Sequence, residues 1–150
     1  MIRIGLIGCG RILPAHLRGY RILREAGFNG FRITALCARQ RDDARSFVTR
    51  GAGPPQRKAV STIPGDPLAV DDEFLSDFQD DVDVAVYDDY RDLIASDDVD
   101  AVNDYTTHGL HHIIAALCAD SGQHLLTQKP IAVTVAAATT MCELFQEAGL

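Results

Sequence analysis

The spacing of apolar residues changes character within the first thirty positions of the chain. Residues 2–7 form a mostly apolar run that ends in glycine, which predicts a strand buried on both faces. Over residues 11–26 the apolar positions recur every three or four residues, which predicts a helix. Pro14 falls in the first turn of this helix, where proline is tolerated. The chain therefore begins with a strand that leads directly into a helix.

The same alternation continues to the last residues. Further strands are predicted at "FRITALCA" (residues 31–38), "VAVY" (84–87), "DAVNDYT" (100–106) and "HLLTQ" (124–128). Further helices are predicted in "DDARSFVTR" (42–50) and over residues 90–95, about 110–120 and about 133–148. Strands that are regularly separated by helices predict an α/β fold with a doubly wound parallel sheet.

Residues 51–83 interrupt the alternation with four of the six prolines and the acidic run "DDEFLSDFQDD". A connection of this length is uncommon inside a compact domain, so we expect an irregular insertion within a single domain of residues 1–150. Phe74, Leu75 and Phe78 have helical spacing, which predicts a short helix that docks on the domain or on a partner.

Composition limits the setting of the protein. No apolar run approaches the roughly 18 to 20 residues of a membrane span, and no secretory signal follows Met1. The four cysteines, at positions 9, 37, 118 and 142, lack the paired spacing of zinc or disulfide motifs. We therefore expect a soluble cytoplasmic protein with reduced thiols and no membrane partner.

Charge is distributed unevenly around a net value of −7. Residues 1–65 hold twelve Lys and Arg against three acidic residues, whereas residues 66–100 hold one against fourteen. Arg18, Arg21 and Arg24 follow a helical spacing without interleaved aromatic residues, which is typical of a solvated helix face. We expect no nucleic-acid partner.

The turn "GCGRIL" joins the first strand to the first helix. Gly8 and Gly10 would let the backbone turn tightly and approach a pyrophosphate at the N-terminus of the helix. The third position of the G-x-G-x-x-G pattern is Leu13, and a plain strand-to-helix turn remains an alternative. Its place at the carboxyl end of the first strand favours a dinucleotide site.

The end of the second strand bears on the choice of dinucleotide. Ala38 and Arg39 stand where NAD-binding domains place an acidic residue for the ribose, and no carboxylate follows until Asp42. A cation at this place suits the 2'-phosphate of NADP, which is our preferred cofactor, with NAD as the second choice. The alternative is that Arg39 only begins the next helix and is exposed.

Four motifs in order carry a family resemblance: "IRIGLIGCGRI", "VYDDYRDLIASDDVDAV", "TTHGLHHIIAAL" and "GQHLLTQKPIAVT". Together they resemble the N-terminal half of the glucose-fructose oxidoreductase, inositol dehydrogenase and MocA-like (Gfo/Idh/MocA) family of NAD(P)-dependent oxidoreductases. The resemblance implies a Rossmann-type NAD(P)-binding domain, followed by an α/β substrate domain that drives homo-oligomerisation. It also implies hydride transfer to or from a sugar, polyol or related substrate.

The resemblance assigns site positions residue by residue. For cofactor binding it implies Gly8, Cys9, Gly10, Arg11 and Ile12 at the pyrophosphate, Ala38 and Arg39 at the adenosine ribose, Thr106, Thr107, His108 and His111 near the nicotinamide ribose, and Gln128, Lys129 and Pro130 after the fifth strand. Thr107 replaces the usual proline, and Gln128 replaces the usual glutamate of a Glu-Lys-Pro motif.

Lys129 is the implied catalytic residue. It is the only lysine after position 58 and follows the fifth strand, where several strand ends converge. A buried or half-buried ammonium there could polarise a substrate oxygen or help to move a proton during hydride transfer. The alternative is an exposed lysine at a strand end. We also expect a cis bond before Pro130, as tight functional turns allow.

Three further features are compatible with more than one role. His108, His111 and His112 have a spacing that could bind zinc, but no suitably spaced Cys, Asp or Glu joins them, so no metal is expected. Asp104 should either bond a turn amide or face the ligand. Cys9 is expected to fill space as a small residue rather than to act in redox chemistry.

The resemblance places the family's catalytic Asp and His beyond residue 150, so we expect a domain or a truncated piece of a dehydrogenase that binds cofactor without turnover. One alternative is a non-enzymatic NAD(P)H-sensing module whose partner surface is the acidic stretch with Phe74 and Phe78. Another is a methyltransferase-like domain that uses S-adenosylmethionine, which would leave the "QKP" motif without a purpose.

Overall fold

The computed structural model describes residues 1–150, with five parallel strands and five α-helices. In chain order they are β1 (Ile2–Ile7), α1 (Leu13–Glu25), β2 (Phe31–Cys37), α2 (Arg41–Arg45), β3 (Ala85–Tyr87), α3 (Tyr90–Ala95), β4 (Ala101–Asp104), α4 (His108–Asp120), β5 (His124–Thr127) and α5 (Val135–Glu147). The predicted α/β class with a doubly wound parallel sheet is confirmed. None of the helices combines the length and the apolar character that crossing a membrane requires.

The strand order is β3-β2-β1-β4-β5, with β1 at the centre. β1 pairs in parallel with β2 on one side and with β4 on the other. The order of strands therefore reverses between β1 and β4, and in such sheets ligands bind in the crevice outside the carboxyl ends at this switch point.

Two apolar clusters cover the two faces of the sheet. Neighbouring residues of β1 point to opposite faces, so Leu6 belongs to one cluster and Ile7 to the other. Leu13 is fully buried in the cluster that contains Leu6, next to Leu17 of α1. The leucine at the third position of the glycine pattern is therefore a core residue, which explains its departure from glycine.

The predicted boundaries differ from the structure most at the second helix, which ends at Arg45 rather than at residue 50, and otherwise mainly at strand-to-helix turns. β4 ends at Asp104 rather than at residue 106, because Oδ1 of Asp104 accepts the N–H of Thr106 at 2.8 Å and closes a turn. α1 begins at Leu13 rather than at residue 11, because the N–H of Leu13 donates to the carbonyl of Gly10 in the turn before it. Both turns lie at the carboxyl edge of the sheet.

Residues 51–83 contain one short 3-10 helix, Leu75–Asp77. Leu75 is buried in the core cluster of Leu6, and the N–H groups of Leu75 and Ser76 donate to the carbonyls of Phe47 and Val48 at 2.8 and 3.0 Å. The short helix therefore docks on this domain. Phe74 is also buried, so it is not available for the partner surface of the sensing alternative.

The acidic end of this segment pairs with the basic first third of the chain. Arg21 Nη2 lies 2.8 Å from Glu73 Oε1, and Arg24 Nε donates to the carbonyl of Phe78 at 3.4 Å. The prediction that Arg18, Arg21 and Arg24 form a solvated face is therefore wrong for two of the three, because the segment covers that side of α1. The opposite charges of the two regions attract each other within the fold.

Candidate cofactor cleft

A cleft of about 640 Å³ opens at the carboxyl ends of β1, β2 and β4. It is lined by residues 7–10 at the end of β1, 37–40 at the end of β2 and 105–107 after β4, together with Asp43, Arg57, Asp88, Tyr90 and Leu110. Of the predicted cofactor positions, Gly8, Cys9, Gly10, Ala38, Arg39, Thr106 and Thr107 line it. The cleft lies at the switch point of the sheet, where the strand order indicates a ligand site.

Gly8 brings the turn after β1 against the turn after β4. Its φ is +101°, and a Cβ built on it would lie 2.7 Å from the carbonyl carbon of Tyr105 and 2.8 Å from its oxygen. Any side chain would overlap backbone that cannot move independently, so this position requires glycine. The first glycine of the pattern thus determines the shape of the cleft floor.

Gly10 differs from Gly8, because no atom of the protein would block a side chain at this position. A Cβ built on it meets no atom within 4 Å, and its φ is outside the left-handed region. The N-terminus of α1 beside it has no side-chain cap and no acidic residue in its first turn. Open space over a glycine, next to a helix N-terminus that has neither a side-chain cap nor an acidic residue, fits a diphosphate.

Arg11 and Ile12 do not line the cleft. The Arg11 guanidinium donates to the carbonyls of Lys58 and Ala59 at 3.0 and 2.6 Å, and Ile12 packs against the core cluster of Leu6. The side chain of Arg11 therefore holds the irregular segment instead of facing the cleft. The sequence contains no signal for this contact because the partners are 47 and 48 residues away.

At the end of β2, Arg39 is exposed, lines the cleft and takes part in no ion pair. Sequence reasoning missed two charged lining residues here, Asp43 of α2 and Arg57 of the irregular segment, whose Oδ2 and Nη2 atoms lie 3.4 Å apart. Asp43 is adjacent to Asp42, the first carboxylate after the strand, so its place in the sequence indicates it. No feature of the sequence indicates that Arg57 lies near the end of β2.

The lining residues at the end of β2 form one wall of the cleft, and Tyr105 and Thr106, at the end of β4, form the other. The Thr106 hydroxyl is buried and makes no hydrogen bond within the protein, so a bound ligand could use it. Asp104 is fully buried beneath the turn, where its Oδ1 accepts the N–H of Thr106. This geometry agrees with the structural alternative for Asp104, a bond to a turn amide.

His111 and His108 do not line the cleft. The His111 ring is fully buried, with Nδ1 3.1 Å from the carbonyl oxygen of Pro130 and Nε2 3.3 Å from that of Thr106. One side chain of α4 thus contacts the turns after both β4 and β5. His108 begins α4, with its ring centroid 5.9 Å from that of His111.

The turn after β5 contains the cis bond that was predicted, between Lys129 and Pro130. Lys129 is exposed in this structure, so the expected burial of its ammonium is not observed. Its N–H donates to Gln128 Oε1 at 2.9 Å, and Gln128 Nε2 lies 2.8 Å from His16 Nε2. Since Lys129 N–H can only donate, the amide nitrogen of Gln128 must donate to an unprotonated His16 Nε2.

His16 joins this turn to the wall of the cleft. Its ring stacks on that of Tyr105, with centroids 4.2 Å apart. Burial lowers the pKa of His16, which favours the neutral form that its bond with Gln128 requires. The Tyr105 hydroxyl in turn lies 3.5 Å from that of Tyr20, and both contact the Asn103 amide. A partly buried polar network therefore supports the β4 wall, and no motif in the sequence indicates it.

Cys9 lines the cleft as a neutral thiol. Burial, with smaller contributions from Cys37 and Asp43, raises the pKa of the Cys9 thiol well above its ordinary value. Its Sγ lies 3.5 Å from the carbonyl oxygen of Cys37. A thiol that stays protonated is a poor nucleophile, which agrees with the expectation that Cys9 fills space.

A second hollow of about 480 Å³ lies between α4 and α5, away from the strand ends. It is lined mainly by alanine and leucine, and its charged lining residues, Asp120 and Glu147, are both acidic. This lining offers no donors for a phosphate. The cleft at the switch point is therefore the candidate site.

The glycine turn, the parallel sheet and the switch-point cleft define a dinucleotide-binding domain. A family model described as "Oxidoreductase family, NAD-binding Rossmann fold" matches residues 2–150. The chain belongs to this oxidoreductase family, and the Gfo/Idh/MocA resemblance is confirmed. No curated protein sequence matches the chain significantly.

Solved structures of dehydrogenases share the fold. An NAD binding oxidoreductase from Klebsiella pneumoniae has a TM-score of 0.71 and 22% identity, over 99% of this chain and 32% of that chain. The WlbA dehydrogenase from Chromobacterium violaceum, in complex with NADH and UDP-GlcNAcA, has a TM-score of 0.67 and 21% identity, over 99% and 33%. A variant 3-ketoreductase from Actinomadura kijaniata, in complex with TDP-benzene and NADP, has a TM-score of 0.62 and 25% identity, over 99% and 36%. This chain spans about a third of each of these proteins.

Proposed function

We propose that this domain binds NADP(H) in the switch-point cleft, in preference to NAD(H). The observation that carries the proposal is the pairing of Gly10, over which space is open, with the uncapped N-terminus of α1. Backbone N–H groups in this arrangement attract a diphosphate through direct hydrogen bonds and through the helix dipole. In this proposal Gly8 shapes the floor while Gly10 admits the ligand.

The two walls would hold the two ends of the cofactor. Arg39 after β2 has no ion-pair partner and would meet a phosphate on the adenosine ribose. The unpartnered Thr106 hydroxyl after β4 would bond the nicotinamide half. The absence of a carboxylate on β2 itself supports the preference for NADP(H), because an acidic residue there would repel the 2'-phosphate.

We further propose that the domain serves an enzyme acting on a sugar, polyol or related carbonyl or carbinol compound. The cofactor supplies or accepts a hydride at its nicotinamide ring. Lys129 is the proposed catalytic residue, because its ammonium is exposed to solvent after β5 and could polarise a substrate oxygen. The sugar nucleotide in the Chromobacterium violaceum complex supports this substrate class.

Separate titrations of the chain with NADPH and NADH, followed by nicotinamide fluorescence, test this proposal. We expect both to bind, with a Kd for NADPH that is lower by about tenfold or more, which corresponds to one charge-assisted contact. Comparable affinities, or tighter NADH binding, would overturn the NADP(H) preference. Binding of neither would overturn the cofactor function.

A further inference from the structure

The irregular segment, although far from any strand end in sequence, reaches the cleft at the end where Asp43 lies. Arg57 lines the cleft there, together with Arg39 and Asp43. It is the only residue of the segment in the lining. The segment thus places one cationic side chain at the end of the cleft where β2 ends.

The backbone around Arg57 is held on both sides. Before it, Gln56 Nε2 donates to the carbonyls of Ser46 and Glu73 at 3.0 and 2.8 Å. After it, the Arg11 guanidinium donates to the carbonyls of Lys58 and Ala59. These bonds fix the main chain while the Arg57 side chain stays 64% exposed. Arg11 therefore acts on the cleft indirectly, as a positioning residue for this wall.

Arg57 is electrostatically available. Its ion-pair partner is Asp43, at 3.4 Å, and because the Arg57 side chain is exposed and that of Asp43 only half-buried, the pair contributes little. Arg41, by contrast, lies 3.8 Å from Asp88 and does not line the cleft. A phosphate that reaches Arg57 in this part of the cleft would replace a weak pair with charge-assisted bonds, for which guanidinium groups are well shaped.

We propose that Arg57 is a specificity-determining residue that binds the 2'-phosphate of NADP(H) together with Arg39. This inference rests on the proposed function, because it assumes that the cofactor occupies the cleft. It assigns to the irregular segment a direct part in cofactor choice. Asp43 has the opposing role, since its carboxylate competes for Arg57 and repels the same phosphate.

Dissociation constants for NADPH and NADH, measured on four proteins, test the inference. Arg57→Ala should raise the Kd of NADPH by about tenfold or more while changing that of NADH by less than about twofold. Lys58→Ala is the matched control, because it removes the same charge from the next residue, whose side chain is exposed and outside the lining. It should leave the ratio of the two constants unchanged. Asp43→Asn should lower the Kd of NADPH.

The outcomes distinguish a failure of the proposed role of Arg57 from a failure of the proposed cofactor binding. Wild-type protein that binds neither cofactor would overturn the proposed function. Wild-type protein that binds NADPH, with an Arg57→Ala variant that keeps the wild-type ratio of the two constants, would overturn only the role of Arg57. Arg57→Lys adds a test of geometry, because a point charge should restore part of the ratio but not all of it. A thermal melt of each variant checks that the fold is retained.

Discussion

The two walls of the cleft are built in different ways. The β4 wall, made of Tyr105 and Thr106, rests on one half-buried ring and one fully buried ring: His16 stacks on Tyr105, and His111 contacts the carbonyl of Thr106. The β2 wall, made of Arg39, Asp43 and Arg57, consists of charged side chains in contact with solvent. One wall is therefore determined by the fold, whereas the other can change without disturbing it.

Buried and exposed polar groups respond differently to mutation. Removing one partner from a buried set leaves unsatisfied groups in a medium of low dielectric, which costs stability. Removing an exposed charge costs little stability but changes the field that a ligand meets. Variants of the β4 wall should therefore lower the free energy of unfolding, and variants of the β2 wall should change cofactor choice.

The largest effect is expected for Gly8→Ala at the floor between the walls. The added Cβ would overlap the Tyr105 carbonyl at 2.7 to 2.8 Å in a backbone conformation with φ of +101°. Strain and overlap together should cost about 4 kcal/mol of unfolding free energy, measured by urea denaturation. Gly10→Ala is the control, since its Cβ meets nothing: it should keep the wild-type stability and still weaken NADPH binding. Equal stabilities of the two variants would contradict the division of roles.

His111→Ala should rank second. The change empties a fully buried site and leaves the carbonyls of Pro130 and Thr106 without their ring contacts. We expect a loss of about 2 to 3 kcal/mol in the free energy of unfolding. His112→Ala, one position away and exposed, should stay within about 0.5 kcal/mol of wild type. A similar cost for both would mean that the β4 wall does not depend on His111.

The pH dependence of stability should report on His16. Burial puts its folded-state pKa below the unfolded value of about 6.5, so the unfolded chain takes up the proton first as the pH falls. The neutral His16 ring therefore makes its full contribution to the free energy of unfolding above about pH 6.5. This contribution declines as the pH falls from there to the folded-state pKa. His16→Gln should flatten the slope of unfolding free energy against pH in this window. An unchanged slope in His16→Gln would refute the neutral pairing with Gln128.

The smallest effect on stability is expected for Arg39→Ala in the β2 wall. Arg39 is exposed and in no ion pair, so the unfolding free energy of the variant should stay within about 0.5 kcal/mol of wild type. The same variant should raise the Kd of NADPH relative to that of NADH. A large loss of stability would show that the two walls do not differ as described.

The sequence predicted the sheet and the glycine turn because their signals are local. An apolar run such as residues 2–7 and a glycine at a strand end are visible within a few residues. The supports of the cleft are not local: Gln128 meets His16 across 112 positions, and Arg11 meets Lys58 across 47. No period or motif encodes such pairs, because they depend on how the elements come together. Lys129 shows the same limit, since the motif gives its position but not its exposure.

The most direct test of the central claim is to map where NADPH binds by following backbone amide shifts in an NMR titration of the chain. The account predicts that the largest changes fall on Gly8, Gly10, Ala38 and Thr106, which lie at the ends of three different strands. Changes confined to the hollow between α4 and α5, or their absence at Gly8 and Gly10, would contradict it.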